Sequence, residues 1–149
     1  MEYEEIVKRL APCGLDCSRC IYYGDGAING AATELRVALE GFEKVAPMVA
    51  KTMAPVLEEY DTFRRILDLF ADGDCKGCRV DGPPLPFCAA RTCFRDKGVD
   101  FCFQCDEFPC DRNTYPDSID RRWRDYNQRM KEVGVEAFYE ESLRRPRYE

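Results

Sequence analysis

Ten cysteines in a chain without histidine constrain this protein more than any other feature. They fall as Cys13-x3-Cys17-x2-Cys20, Cys75-x2-Cys78, Cys88-x4-Cys93 and Cys102-x2-Cys105-x4-Cys110. A Cys-x2-Cys turn lets two sulfurs chelate one ion while backbone N–H groups point back at them, and Gly77 in Cys75-Lys76-Gly77-Cys78 suits the positive φ that such a turn favours. Each of the three units is half of a tetrahedral site. The missing histidine removes Ser-His-Asp and Cys-His catalysis and His-x-Glu deaminase chemistry, and leaves any zinc to thiolates or carboxylates.

Other uses of cysteine fit less well. The N-terminal segment Met1 to Leu10 alternates acidic, basic and apolar residues and has no apolar core of a secretory signal, so a cytoplasmic, thiol-reducing setting is expected and disulfides are disfavoured. A thioredoxin-like pair needs a buried strand before the Cys-x2-Cys, and none is legible before Cys17, Cys75 or Cys102. Cys13-x3-Cys17-x2-Cys20 has the spacing of a radical-SAM cluster loop. The chain lacks the length and strands of the surrounding barrel, and Arg19 stands where that family usually has an aromatic residue.

Metal binding remains, with zinc favoured over iron–sulfur. Cys75, Cys78, Cys88 and Cys93 lie close enough in sequence for one four-thiolate site. Cys17 and Cys20 with Cys102 and Cys105 form the expected second site, in which Cys13 or Cys110 could replace a ligand. Two zinc ions per chain follow. Phe87, Phe94, Phe101, Phe103 and Phe108 stand among these ligands, where they either keep water from the thiolates or form a small satellite core. Asp16, Asp106 and Glu107 adjoin ligands, and their ordinary role is to accept hydrogen bonds from backbone or arginines.

Apolar spacing predicts a mostly α fold. Tyr3, Ile6, Val7 and Leu10 form one helical stripe, stopped by Pro12; a second helix runs from Ala31 to about Met53, interrupted near Gly41 and Pro47. After Pro55, the positions Val56, Tyr60, Phe63, Leu67 and Phe70 step by three and four up to Gly73. Residues 75–110 hold seven of the cysteines and show no lasting helix or strand period. Ile119, Trp123, Tyr126, Met130 and Val133 mark a helix with Asp117 and Ser118 as capping candidates and Gly134 as its stop, and 135–143 reads as a last short helix. The expected architecture is one small helical domain over 1–149: helical from 1 to 74, an irregular zinc-knuckle segment from 75 to 110, and C-terminal helices from 111 to 149.

The formal net charge is −6, with the acidic excess in residues 1–74. Nucleic acid is therefore disfavoured as a partner. Arg121, Arg122, Arg124, Arg129 and Lys131 form a local basic run, but Asp120 and Asp125 interleave, which reads as a solvated helix face. No apolar run approaches the roughly 20 residues that span a bilayer. Gly24-x-Gly26-x3-Gly30 is a loop before a helix rather than a dinucleotide fingerprint, Glu4-Glu5, Glu58-Glu59 and Glu140-Glu141 lie on helix surfaces, and Trp123 is a core residue.

The motifs Cys13-Gly14-Leu15-Asp16-Cys17-Ser18-Arg19-Cys20, Cys75-Lys76-Gly77-Cys78, Cys88-x4-Cys93 and Lys97-Gly98-Val99-Asp100-Phe101-Cys102-Phe103-Gln104-Cys105-Asp106-Glu107-Phe108-Pro109-Cys110 resemble the cysteine-rich family catalogued as domain of unknown function 3795. The tail with Trp123, Asn127, Met130, Gly134 and Tyr139 is similar too. The resemblance implies a small prokaryotic protein taken to bind zinc and implies no established reaction. The expected function is a cytoplasmic zinc-binding protein with structural four-cysteine sites, acting on a protein or small-molecule partner as a binding or regulatory module. The alternative is an iron–sulfur redox protein or a zinc enzyme with an open thiolate site, kept open by the two spare cysteines.

Overall fold

Helical spacing becomes seven α-helices in the computed structural model, which describes residues 1–82 and 85–148. They are α1 (Tyr3–Arg9), α2 (Ala27–Ala38), α3 (Ala46–Thr52), α4 (Tyr60–Ala71), α5 (Ala90–Lys97), α6 (Asp117–Val133) and α7 (Val135–Leu143). Short 3-10 turns join them, and among the described residues there is no strand, only one isolated bridge between Leu10 and Asp16. The protein is mostly α. Its chain divides into two compact units: residues 1–18 with 75–149 form one, and Arg19–Asp74 the other. The first 18 residues thus belong with the cysteine-rich and C-terminal segments rather than with the helices up to 74.

The cysteine-bearing unit is organised by large apolar side chains. Ile6 of α1, Leu10, Phe101, Met130 of α6, and Val135, Phe138 and Tyr139 of α7 form one buried cluster. Burying each of these side chains contributes about 1.5 to 3 kcal/mol. Trp123 is buried as expected, edge-on to Phe108 at 5.1 Å and to Tyr115 at 5.7 Å.

The inserted unit, Arg19–Asp74, is built differently. Ala32 of α2 meets Leu67 and Ala71 of α4, so the helices approach through small residues. Asn29 Nδ2 donates to the Phe70 and Ala71 carbonyls at 3.1 and 2.8 Å, satisfying acceptors that the end of α4 leaves open. Tyr60 is buried against the Phe42 ring at 5.1 Å.

Three expectations change in detail. The helix expected over 31–53 is interrupted at Gly41 as anticipated, but it starts earlier, at Ala27, and Pro47 makes no interruption: it lies in the first turn of α3, where its missing N–H costs nothing. Residues 75–110 do contain a helix, α5, whose apolar face is obscured in the sequence because Cys93 and Phe94 supply it. Asp117 and Ser118 do not cap α6. Pro116 holds the cap position and Asp117 sits in the first turn, where its charge opposes the helix dipole favourably.

Candidate metal centre

The first cysteine segment leaves α1 in a tight loop, with the Ala11 N–H donating to Leu15 O and Gly14 N–H to Ala11 O. Gly14 has φ +88°, and a Cβ there would stand 2.9 Å from Met130 Cε and 3.1 Å from Tyr126 Cβ. Only glycine lets this loop lie so close to α6. The Cys102 N–H donates to Pro12 O at 2.9 Å, which joins the loop to the third cysteine segment. Asn127, fully buried in α6, completes the tie: its Nδ2 donates to Cys13 O at 3.0 Å and to Trp123 O at 2.9 Å, and its Oδ1 accepts from the Phe103 N–H at 2.9 Å.

The second cysteine segment turns at Gly77, which has φ +94°, and its N–H donates to Cys75 Sγ at 3.3 Å. That is the N–H to sulfur geometry expected of a Cys-x2-Cys turn. Arg79 then anchors the segment through Nε to Leu10 O at 2.8 Å and a terminal nitrogen to Asp100 O at 2.6 Å, with its guanidinium 5.2 and 5.0 Å from the Phe94 and Phe101 rings.

The thiols lie in two neighbourhoods, coupled to each other through Cys13, Cys88 and Cys102. In the first, Cys17 and Cys78 share a hydrogen bond that pushes Cys17 down to about 7, while Cys78 is pushed up by the same bond and by burial. Cys13 belongs here: burial raises it, and Cys88 and Cys17 are near enough to raise it further by charge. Cys88 Sγ lies 3.2 Å from the Tyr115 hydroxyl, and burial and the neighbouring thiols raise that tyrosine.

The second group is Cys93, Cys102, Cys105 and Cys110, all four lining one cavity of about 30 Å³ walled by Phe94, Phe108 and Trp123. Burial pushes Cys102 up to about 12 and the Trp123 indole N–H acts against the rise. That indole nitrogen is buried and has no hydrogen-bond partner of ordinary geometry among the described residues. Burial raises Cys93, with Cys110 adding to the rise and Arg112 opposing it. Lys97 pairs with Glu107, and Arg112 meets the same carboxylate at 3.1 Å, so basic side chains flank the thiols.

Of the expected sets, Cys78 with Cys88 and Cys102 with Cys105 are together. Cys93 lines the cavity of Cys102, Cys105 and Cys110, and Cys17 faces Cys78. Cys20 lies in the inserted unit, whereas Cys17, Cys102 and Cys105 lie in the other. All ten cysteines are free thiols, and among the described residues no three Cys, Asp or Glu side chains have closed into a metal-holding set. Asp16 is buried and accepts from the Ser18 hydroxyl at 2.6 Å, Glu107 is engaged by Lys97 and Arg112, and Asp106 Oδ1 lies 3.7 Å from Cys105 Sγ. The contacts of Tyr115, Arg79 and Asn127 were not legible in the cysteine pattern; Asn127 alone left a signal, as a polar residue on the apolar face of α6.

A helical unit carrying nine of the ten free thiols, four of them lining one aromatic-walled cavity, defines a helical cysteine-rich protein. The profile of the family described as "Protein of unknown function (DUF3795)" matches residues 9–115, and the chain belongs to that family. No curated protein and no solved structure matches the chain. The matched span contains all ten cysteines and ends at Tyr115, the residue whose hydroxyl meets Cys88.

Proposed function

We propose that this protein binds two zinc ions as structural cross-links, one through Cys13, Cys17, Cys78 and Cys88 and one through Cys93, Cys102, Cys105 and Cys110. This regroups the eight ligands, placing Cys20 and Cys75 outside the sites and Cys13 and Cys110 within them. The observation that carries the reading is the cavity lined by four cysteines, Cys93 of α5, Cys102 of the short 3-10 turn Cys102–Gln104, and Cys105 and Cys110 beyond that turn. Its donor set suits zinc: four soft ligands, and one buried indole N–H at Cys102 with nothing else to satisfy it.

Bound zinc would supply a fixed tetrahedral junction between segments that are far apart in sequence. The protein's own residues prepare it. Asn127 holds the Cys13 loop and the Cys102 turn on α6, Arg79 holds the Cys78 turn, and the hydrogen bond from Cys78 holds the Cys17 thiol below its ordinary value. Four thiolates leave no position for water or substrate, so the sites are scaffold rather than catalyst, in a reducing cytoplasmic compartment and in the service of a binding or regulatory role. No helix among the described residues is long and apolar enough to cross a membrane.

Zinc-edge X-ray absorption with elemental analysis of protein purified without oxygen tests this. The expected result is two zinc ions per chain with four sulfur neighbours each at about 2.3 Å. Cys110→Ser and Cys13→Ser should each lower the count by one, whereas Cys20→Ser and Cys75→Ser should leave it at two. Stoichiometric iron and sulfide would overturn the zinc reading, and an oxygen neighbour in the native protein would turn it towards an open, catalytic site.

A further inference from the structure

The seam between α2 and α4 is closed along one side and open along the other. On the closed side Arg64, Asp68 and Asp72 step by four along the chain. Arg64 meets Asp68 at 3.3 Å, and Arg36 of α2 reaches Asp72 at 2.6 Å and Asp68 at 3.7 Å. On the open side Phe63, Ile66 and Phe70 of α4 face Ile28, Ala31 and Leu35 of α2 across a groove of about 430 Å³, every lining side chain of which is apolar. Leu35 is 43% exposed, Phe63 41% and Ile66 47%, and Leu69 extends the same patch beside Ile66. Single apolar side chains on a surface are ordinary, whereas a continuous apolar groove marks a place where something docks.

The two walls of the groove differ in bulk and in charge. At its outer edge α2 presents Ala27 and Ala31, while α4 presents Phe63, Ile66 and Leu69. The rim of α2 carries the exposed Glu34, one turn from Ala31, and the rim of α4 carries the exposed Arg65, one turn from Leu69. Asn29 meets Ala71 and Ala32 meets Leu67, so the helices run antiparallel and Glu34 stands about level with Arg65. A two-fold axis along the groove lays α4 of one copy on α2 of another without changing that level. This one operation sets the bulky wall against the small one and Arg65 against Glu34, twice over. An axis across the groove would put α2 on α2 and bring like charges together. A strongly acidic or basic partner helix would meet its own sign on one rim, so the surface complements itself better than it complements either.

We propose that the α2–α4 groove is where two copies of this chain associate, closing an antiparallel four-helix bundle with α4 of each copy on α2 of the other. Each helix has 12 residues. At a rise of 1.5 Å that is about 18 Å of length, and paired helices lie about 10 Å apart, so two such faces bury on the order of 1,000 Å². That area stands at the lower limit of specific interfaces, and the dimer should therefore form and dissociate in the micromolar range.

Sedimentation velocity of the full chain, in reducing buffer and with its metal content as purified, tests this across micromolar concentrations. A reversible monomer–dimer equilibrium is expected. Glu34→Arg and Arg65→Glu should each weaken it about tenfold, because each turns two attractive pairs into repulsive ones. Combining them should restore nearly native association, which a general loss of folding could not do. Ile66→Asp, at an exposed position, should keep the helical circular dichroism and weaken the dimer about a hundredfold. A chain that stays monomeric throughout, or a dimer indifferent to Ile66→Asp, would overturn the interface. Failure of the double variant to recover would overturn the pairing of α4 on α2. A monomer whose α2 and α4 amide signals move only on addition of an amphipathic helical peptide would assign the groove to a different protein and overturn self-association.

Discussion

The two units solve the problem of burying a core with opposite materials. The cysteine-bearing unit buries Phe101, Trp123, Phe138 and Tyr139 and still leaves its middle segment, residues 75–110, with few large aliphatic residues. The inserted unit buries alanines with Leu67 and Tyr60, while Leu35, Phe63, Ile66 and Leu69 remain exposed on α2 and α4. An amphipathic stripe is therefore evidence of a helix and not of full burial. The cysteine-rich segment lacks such a stripe over most of its length, and in the proposed function metal-bound thiols would take the place of the missing apolar contacts. Metal dependence should accordingly belong to one unit and not the other.

The largest effect that could break this contrast is metal removal. Structural zinc contributes about 10 to 16 kcal/mol of apparent binding free energy in small peptides, above the net stability of most domains. Chelation, or Cys102→Ser, should abolish hydrogen-exchange protection in α5 and the Cys102 turn and weaken it in α6, while the amides of α2 and α4 keep theirs. Equal loss of protection in α2 and α4 would erase the distinction between the units.

A smaller effect sharpens it, through two asparagines that do the same work in different surroundings. Asn127 is fully buried and serves three backbone groups of the cysteine segments and α6, whereas Asn29 is half-buried and serves the end of α4. Asn127→Ala strands the Phe103 N–H and the Cys13 carbonyl away from water and should cost about 3 kcal/mol; Asn29→Ala, whose partners can turn to solvent, should cost about 1 kcal/mol. Urea denaturation of the two variants checks the order. Asn127→Ala should also lower zinc retention, and a loss of stability without that change would limit the residue to packing.

How much of this was legible in the sequence follows from what each residue depends on. The helices α4, α6 and α7 announce themselves because their apolar stripes are local, and Gly77 announces its turn because only two residues separate Cys75 from Cys78. The grouping of thiols depends on contacts far apart in the chain. Cys93 stands nearer in sequence to Cys88 than to Cys110, yet α5 places it in the cavity of Cys102, Cys105 and Cys110. Proximity in sequence was the only guide available, and a helix of eight residues was enough to defeat it. Arg145 is a similar case. Nothing in its neighbourhood of the sequence links it to Tyr126, and only the return of α7 along α6 brings it over that ring.

The smallest effect concerns acid. The carboxylates held clearly below the ordinary glutamate value of 4.5, namely Glu5, Glu107 and Glu141, all belong to the cysteine-bearing unit. For Glu141 the first cause is its hydrogen bond from Arg129, reinforced by the charges of Arg129, Arg145 and Arg144. A carboxylate whose folded value is depressed stabilises the fold above its unfolded value, here near 4.5, and that contribution fades as pH falls through the folded value. Because Glu141 is exposed, the contribution is small and screened by salt. Glu141→Gln should therefore be slightly less stable than the native chain at about pH 6, and the gap should narrow as pH falls below 4.5 towards about pH 3 and Glu141 takes up a proton to become as neutral as glutamine. Urea midpoints at both pH values measure this. A constant offset between the two proteins across that range would mean that Glu141 acts by packing the end of α7, and that the acid response of this unit resides elsewhere.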